Sequence, residues 1–257
     1  MIGILDSGLA GLDLTRRLLA GLPRHRFIYF GDTAHGPYDE KSPEAVLRRT
    51  LRAGRFLAEK GVRKIVLACH AASAVAAEAL AAQSAVPVID VVSLAAAAAV
   101  RVSRHGRIGV MGSRATIRSG AYTDRIRLLA PDAAVCQAAC PLIGALVAEG
   151  WLKKPETAMI VKKSLIPLKV RKIDTLILGD AHYPVLAALI QRKIGMRVRL
   201  VEPSADLIPL LQDDPAPPPG NQEEARAEFY LSDIPPETER RAAVFMKGRV
   251  RFLPAAS

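Results

Sequence analysis

Residues 64–73 read KIVLACHAAS and residues 175–184 read TLILGDAHYP, and this pair of segments decides the fold. Each opens on an apolar run of the kind that forms a strand buried on both faces. Each then passes through a small residue to a potential proton-transfer group and a small or histidine-bearing turn. The first copy presents Cys69 and His70, the second Asp180 and His182. Two facing groups are what a reaction needs when a proton leaves one side of a carbon and returns on the other. Here the two groups are chemically unlike.

Working outward, short β-branched runs alternate with longer helical patterns, the signature of a parallel α/β sheet. Strands are expected at Ile2–Leu5, Phe27–Phe30, Lys64–Leu67, Val88–Asp90, Arg107–Met111, Ala134–Cys136, Thr175–Leu178 and Arg197–Val201. Helices are expected at Leu9–Ala20, Pro43–Lys60, Ser73–Gln83, Ser93–Ser103, Ile117–Leu129, Pro141–Glu149, Glu156–Val170 and Pro184–Ile194. The first and fifth strands open alike, MIGILDSG against RIGVMGSRAT, and the third and seventh are the opening pair. Matching features in matching order indicate an internal duplication. The expected fold is α/β: two similar parallel-sheet domains related by a pseudo-two-fold axis, with the active site in the cleft between them. Residues 1–92 with 210–257 make the first domain and 93–209 the second. DDPAPPPG (213–220) reads as a linker. After it come a helix start and a strand-like FYL within NQEEARAEFYLSD, a charged helix around Pro236–Met246 and a short apolar tail. This segment is expected to return to the first half.

Half of the 257 residues are apolar and a quarter are charged, which fits a globular chain rather than a disordered one. No apolar run reaches the length of a membrane span, and the N-terminus enters a strand-like MIGIL with no signal-peptide pattern, so a cytoplasmic protein is expected. Three cysteines make no disulfide framework. The net charge of +11 attracts anions, but the cations are scattered without an aromatic-interleaved stripe. Nucleic acid is therefore not the expected partner, and the basic balance reads as a solvated surface.

Ligands of open parallel sheets bind beyond the carboxyl ends of the strands. The residues placed there are Asp6-Ser7, Gly31-Asp32-Thr33, Cys69-His70, Gly112-Ser113-Arg114 and Gly179-Asp180-Ala181-His182. Ser73 reads as the N-cap of the Ala-rich helix, which would put Cys69 ahead of a positive helix end and lower its pKa. His25 and His105 read as surface residues of charged turns, and His35 as a loop residue or a substrate contact. Cys136 and Cys140 read as packing residues rather than zinc ligands, since Pro141 breaks their helical spacing and no second ligand pair follows. Glu149 ends a helix, where the macrodipole disfavours a carboxylate.

DSGLAGL (6–12), FGDTAHGPY (30–38), LACHAAS (67–73), RIGVMGSRATIRSGAY (107–122), ACPL (139–142), Glu149-Gly150, LILGDAHYP (176–184) and the late FYLSD resemble, in order, the glutamate racemase family. The resemblance implies a cofactor-independent enzyme, a homodimer, with two cysteines acting as base and acid on opposite sides of the substrate Cα. By position Cys69 is one of those thiols. Asp6, His182 and Glu149 match the assisting groups, and Ser7, Pro37 and Tyr38 match substrate-pocket positions. Asp180 stands where the second cysteine belongs. His70-Ala71 replaces the family's Asn-Thr, Ala181 replaces a Thr, His35 an Arg and Asp39 a Gly. The lost Asn and Thr groups hold the substrate's amino and carboxylate groups in the family.

A thiolate of pKa about 8.5 exceeds a carboxylate of about 3.9 in basicity by roughly 4.6 units, or about 6 kcal/mol. That gap leaves other readings open beside a racemase: a one-thiol decarboxylase or lyase of the same superfamily, a binding descendant without turnover, or a divalent-metal set of His70, His182 and Asp180.

Overall fold

The structure, a computed structural model, describes residues 1–212, 226–246 and 248–255. The expected linker at 213–220 and the helix start after it lie outside the described residues. The chain forms two compact units, Met1–Val91 with Ser204–Ser257, and Val92–Pro203.

The first unit contains β1 (Ile2–Asp6), α1 (Leu12–Gly21), β2 (Phe27–Gly31), α2 (Pro43–Glu59), β3 (Lys64–Leu67), α3 (His70–Gln83) and β4 (Val88–Asp90). The second begins with α4 (Val91–Val102), whose first residue closes the first unit. It continues through β5 (Arg107–Gly112), α5 (Arg114–Arg118), α6 (Ala121–Leu129), β6 (Ala134–Ala139), α7 (Pro141–Ala148), α8 (Pro155–Ser164), α9 (Ile166–Val170), β7 (Thr175–Gly179), α10 (Ala187–Ile194) and β8 (Arg199–Val201). The chain then re-enters the first unit as α11 (Ser204–Gln212), β9 (Ala227–Leu231), α12 (Thr238–Ala242) and β10 (Phe252–Pro254). The return therefore begins at residue 204, with a helix that packs on α1, and not at residue 210. A Cβ on Gly21 of α1 would lie 2.9 Å from the Ile208 side chain of α11.

Both sheets are wholly parallel. The first runs β10-β9-β2-β1-β3-β4 and the second β6-β5-β7-β8. The second thus repeats the β2-β1-β3-β4 order of the first, which is the spatial form of the duplication read from the sequence. Every residue of β1, β2 and β7 is buried, as continuous apolar runs require when helices cover both faces. The expected apolar tail forms the edge strand β10 beside β9.

Three expected helices differ, each for a local reason. Gly120 adopts a left-handed φ of +73°, which splits Ile117–Leu129 into α5 and α6. Pro167 lacks the N–H that would bond back to Lys163, so Glu156–Val170 divides into α8 and α9 at Leu165. Residues 183–186 form a 3-10 turn before α10. Among the described residues no helix is long and apolar enough to cross a membrane.

The loop after β2 lies directly against the loop after β1. A Cβ on Gly36 would sit 2.2 Å from the backbone carbonyl oxygen of Ser7, too close for any relaxation short of moving the chain. Gly36→Ala is expected to cost at least about 1–3 kcal/mol, the range for overpacking a tight contact. A urea midpoint measured on the variant at neutral pH checks this, and an unchanged midpoint would show the two loops to be loosely held.

Candidate active site

β1 ends at Asp6, whose carboxylate is buried and anchored through one oxygen. Its Oδ2 accepts from the backbone N–H of Gly8 (3.2 Å) and Gly11 (3.1 Å) and from the Tyr29 hydroxyl (3.0 Å). Tyr29 also donates to the Gly8 carbonyl at 2.8 Å, so the Asp6–Gly11 loop is fastened to β2. β3 ends one residue before Ala68-Cys69, and Cys69 is itself the N-cap of α3, with φ −76° and ψ 118°. Its thiol donates to Ser7 Oγ at 3.1 Å. Asp6, Ser7 and Cys69 are therefore brought together by adjacent strands of one sheet.

Ser73 is not the cap. It lies within α3, where its hydroxyl donates to the Leu67 carbonyl and accepts from Val91 N–H, both at 3.2 Å. It ties β3 to the end of β4. Nor does the helix start lower the Cys69 pKa. Burial pushes the thiol up to about 12, and the Asp6 carboxylate pushes the same way, against smaller opposing contributions from Ser7 and Ala72 N–H. Desolvation of a thiolate outweighs the helix terminus here.

His70 and Ala71 open α3 and are buried. Pro37 is exposed, whereas Tyr38 is buried with its hydroxyl donated to Asp32 Oδ2 at 2.7 Å. Asp32 Oδ1 in turn accepts from Ser232 Oγ (2.8 Å) and is bonded to His35 Nδ1 (2.7 Å). His35 is thus held as part of a carboxylate network and not left as a bare loop residue. His25, expected on the surface, is buried, because the turn between α1 and β2 folds inward against the unit. His105 is exposed.

In the second unit, Asp180 follows β7. Its Oδ1 accepts from the His182 backbone N–H at 2.9 Å and pairs with His182 Nδ1 at 2.8 Å, leaving the other ring nitrogen, Nε2, outside this pair. His182 is about a third exposed at the side chain and Asp180 13 %. Tyr183 donates its hydroxyl to the Cys140 carbonyl at 3.0 Å, pinning the Gly179–Tyr183 turn to the start of α7. A Cβ on Gly144 of α7 would stand 3.5 Å from His182 Nδ1, so the imidazole lies against this helix. Ala181 is half-buried beside the pair, and Glu149 is exposed at the C-cap of α7. Cys140 is the buried N-cap of α7. Burial and the Asp180 charge raise its thiol to about 11, against hydrogen bonds from Ser164 and Gly112. Cys136 is half-buried in β6. Among the described residues, no group of three or more His, Cys, Asp and Glu side chains is placed to hold a metal ion.

Tyr29 and Ser232, which hold Asp6 and Asp32, were not expected from the sequence. Tyr29 sits in the apolar run FIYFG, where a hydroxyl on a buried ring is the one signal that a polar partner is needed.

One half presents a buried thiol beside a fixed carboxylate, the other an imidazole hydrogen-bonded to a carboxylate.

Residues 2–206 match the Asp/Glu/hydantoin racemase family. A glutamate racemase of Geobacter metallireducens is 37 % identical over 253 residues, covering 97 % of this chain and 93 % of the relative. The crystal structure of Francisella tularensis glutamate racemase, in complex with D-glutamate, superposes with a TM-score of 0.89 at 30 % identity, over 100 % of this chain and 97 % of that one. The Bacillus anthracis glutamate racemase isoform RacE1 gives 0.90 at 29 % identity, again over 100 % and 97 %. The chain belongs to the Asp/Glu/hydantoin racemase family and is a glutamate racemase-like isomerase within it.

Proposed function

We propose that this protein moves the α-proton of a small amino acid, glutamate being the first candidate, with Cys69 as one acid/base group and His182, steered by Asp180, as the other. The observation that carries this reading is the pairing of unlike resting states. Burial holds the Cys69 thiol in its protonated form, so it is an acid ready to give its proton. An imidazole bonded to a carboxylate through Nδ1 is oriented so that Nε2 is the nitrogen that would take the proton.

The step balances without a cofactor. Nε2 takes the Cα proton, the electron pair of the C–H bond delocalises into the substrate carboxylate, and the Cys69 S–H delivers its proton to the opposite face. The products are the inverted amino acid, a Cys69 thiolate and an imidazolium. Reaction of the opposite enantiomer in reverse, or exchange with water, restores both groups. A substrate ammonium beside Cys69 would offset the Asp6 charge and bring the thiol within reach of deprotonation. In this reading the protein works in the cytoplasm as a homodimer and supplies D-glutamate for peptidoglycan.

The unlikeness of the two groups also favours a second reading, one-sided protonation by Cys69 in a decarboxylase or lyase acting on a small acid. Incubation of each glutamate enantiomer in heavy water, followed by NMR of the α-proton, separates the two. Deuterium entering both enantiomers is expected. No exchange with glutamate, aspartate or other small amino acids would remove the racemase reading in favour of the second.

A further inference from the structure

A pocket of about 310 Å³ lies in the first unit between α2 and the loop after β2. Arg49, Arg52, Ala53 and Phe56 form one i, i+3, i+4, i+7 stripe of α2 and make one wall. Phe30 of β2 supplies the floor with Phe56, their ring centroids 5.0 Å apart. His35 and Ser232 close the far side.

The electrostatics of this pocket are unbalanced. Asp32, its one acidic group, is saturated by Tyr38, Ser232 and His35 and makes no ion pair with either arginine. Among the described residues, neither Arg49 nor Arg52 has an ion-pair or hydrogen-bond partner. Elsewhere α1 shows the ordinary arrangement, in which Arg16 and Arg17 both pair with Asp13. Two unpaired guanidinium forks three residues apart, over an aromatic floor, match an oxyanion attached to a flat or apolar body. His35 Nδ1 is spent on Asp32, and its ring faces the pocket from the far side.

We propose that this pocket is a binding site for a small organic anion, a carboxylate or phosphate monoester whose apolar part rests on Phe30 and Phe56 and whose oxyanion is taken by Arg49 and Arg52. The site stands apart from Cys69 chemistry but shares a loop with it. Asp32 holds both His35 in the pocket wall and Tyr38, two residues after Gly36, whose backbone lies against Ser7. A bound anion would therefore stiffen the loop that packs on the Cys69 partner.

Calorimetric titration of the full chain with phenyl phosphate, benzoate and inorganic phosphate at low salt tests this. Phenyl phosphate or benzoate should bind, whichever is tighter naming the oxyanion, and at least 10-fold more tightly than inorganic phosphate. R49Q/R52Q should weaken that binding at least 10-fold with an unchanged melting temperature, since both side chains lie at the surface of α2. Cys69→Ala should bind as the parent does, which separates this site from the racemase reading. Absence of binding by all three probes at millimolar concentration, equal binding by R49Q/R52Q, or inorganic phosphate binding as tightly as phenyl phosphate would overturn the proposal.

Discussion

Cys69→Ala is expected to lower the rate of α-proton exchange by about 10²–10⁴-fold, the usual contribution of a positioned general acid or base. The geometry makes this thiol hard to replace. It sits at the N-cap of α3, bonded to Ser7 Oγ at 3.1 Å and facing the field of an Asp6 carboxylate fixed by three donors. Serine at this position would keep the hydrogen bond to Ser7 but offers a far weaker acid and, once ionised, a much costlier buried anion. Cys69→Ser is thus expected to fold like the parent and to lose nearly as much rate as alanine. The loss should fall on kcat, because the thiol acts on the proton in flight and not on the substrate's charged groups. A variant that keeps more than a tenth of the parent rate would show that His182 and Asp180 do the chemistry from one side alone.

The strand ends that carry these groups were legible in the sequence because burial on both faces leaves an unmistakable run. KIVL and TLIL each run into a small residue, Ala68 and Gly179, and the matching β2-β1-β3-β4 and β6-β5-β7-β8 orders follow from the duplicated pattern. What the sequence could not convey was which of two local preferences wins. Serine is a favoured cap, yet α3 begins three residues before Ser73. The turn from β3 leads directly into the helix, and the Ser73 hydroxyl is needed to bridge Leu67 and Val91. A helix N-terminus favours thiolate, yet the sequence says nothing of how completely Cys69 is desolvated, and desolvation decides the sign.

The same holds for polar networks assembled from distant segments. Asp32 was visible as a strand-end residue, but its partner Ser232 lies 200 residues away and becomes its neighbour only because β9 adds to the edge of β2. The Arg49 and Arg52 wall was hidden for the opposite reason, since two arginines among 36 cations carry no signal until their lack of partners is seen. The Asp180 anomaly stood out because the resemblance names a cysteine there. What the sequence did not show is that its carboxylate is hydrogen-bonded to His182 Nδ1.

Stability is expected to fall steeply between about pH 9 and pH 11. Burial pushes the Cys69 thiol up to about 12 and the Cys140 thiol to about 11, and it raises the Tyr29 and Tyr38 hydroxyls above their ordinary range. Each group keeps its proton in the folded chain at a pH where the unfolded chain has lost it. The unfolded state then binds fewer protons, so unfolding becomes easier as pH rises. The contribution is fully present below the unfolded values, about 8.5 for a thiol and 10 for a tyrosine, and disappears as pH climbs towards the folded ones. At pH 10.5 each thiol has lost on the order of 2–3 kcal/mol at about 1.36 kcal/mol per unit, and each tyrosine under about 1. The sum, on the order of 5 kcal/mol, rivals the whole stability of an ordinary domain, about 5–15 kcal/mol. Because Cys69 lies in one unit and Cys140 in the other, both units carry the liability and no alkali-resistant half should survive. Urea midpoints at pH 8 and pH 10.5, followed by circular dichroism, measure the drop. Cys140→Ala should flatten the pH dependence of the second unit while leaving that of the first. An unchanged midpoint for the parent at pH 10.5 would mean that both thiols ionise as readily within the folded chain as in the unfolded one.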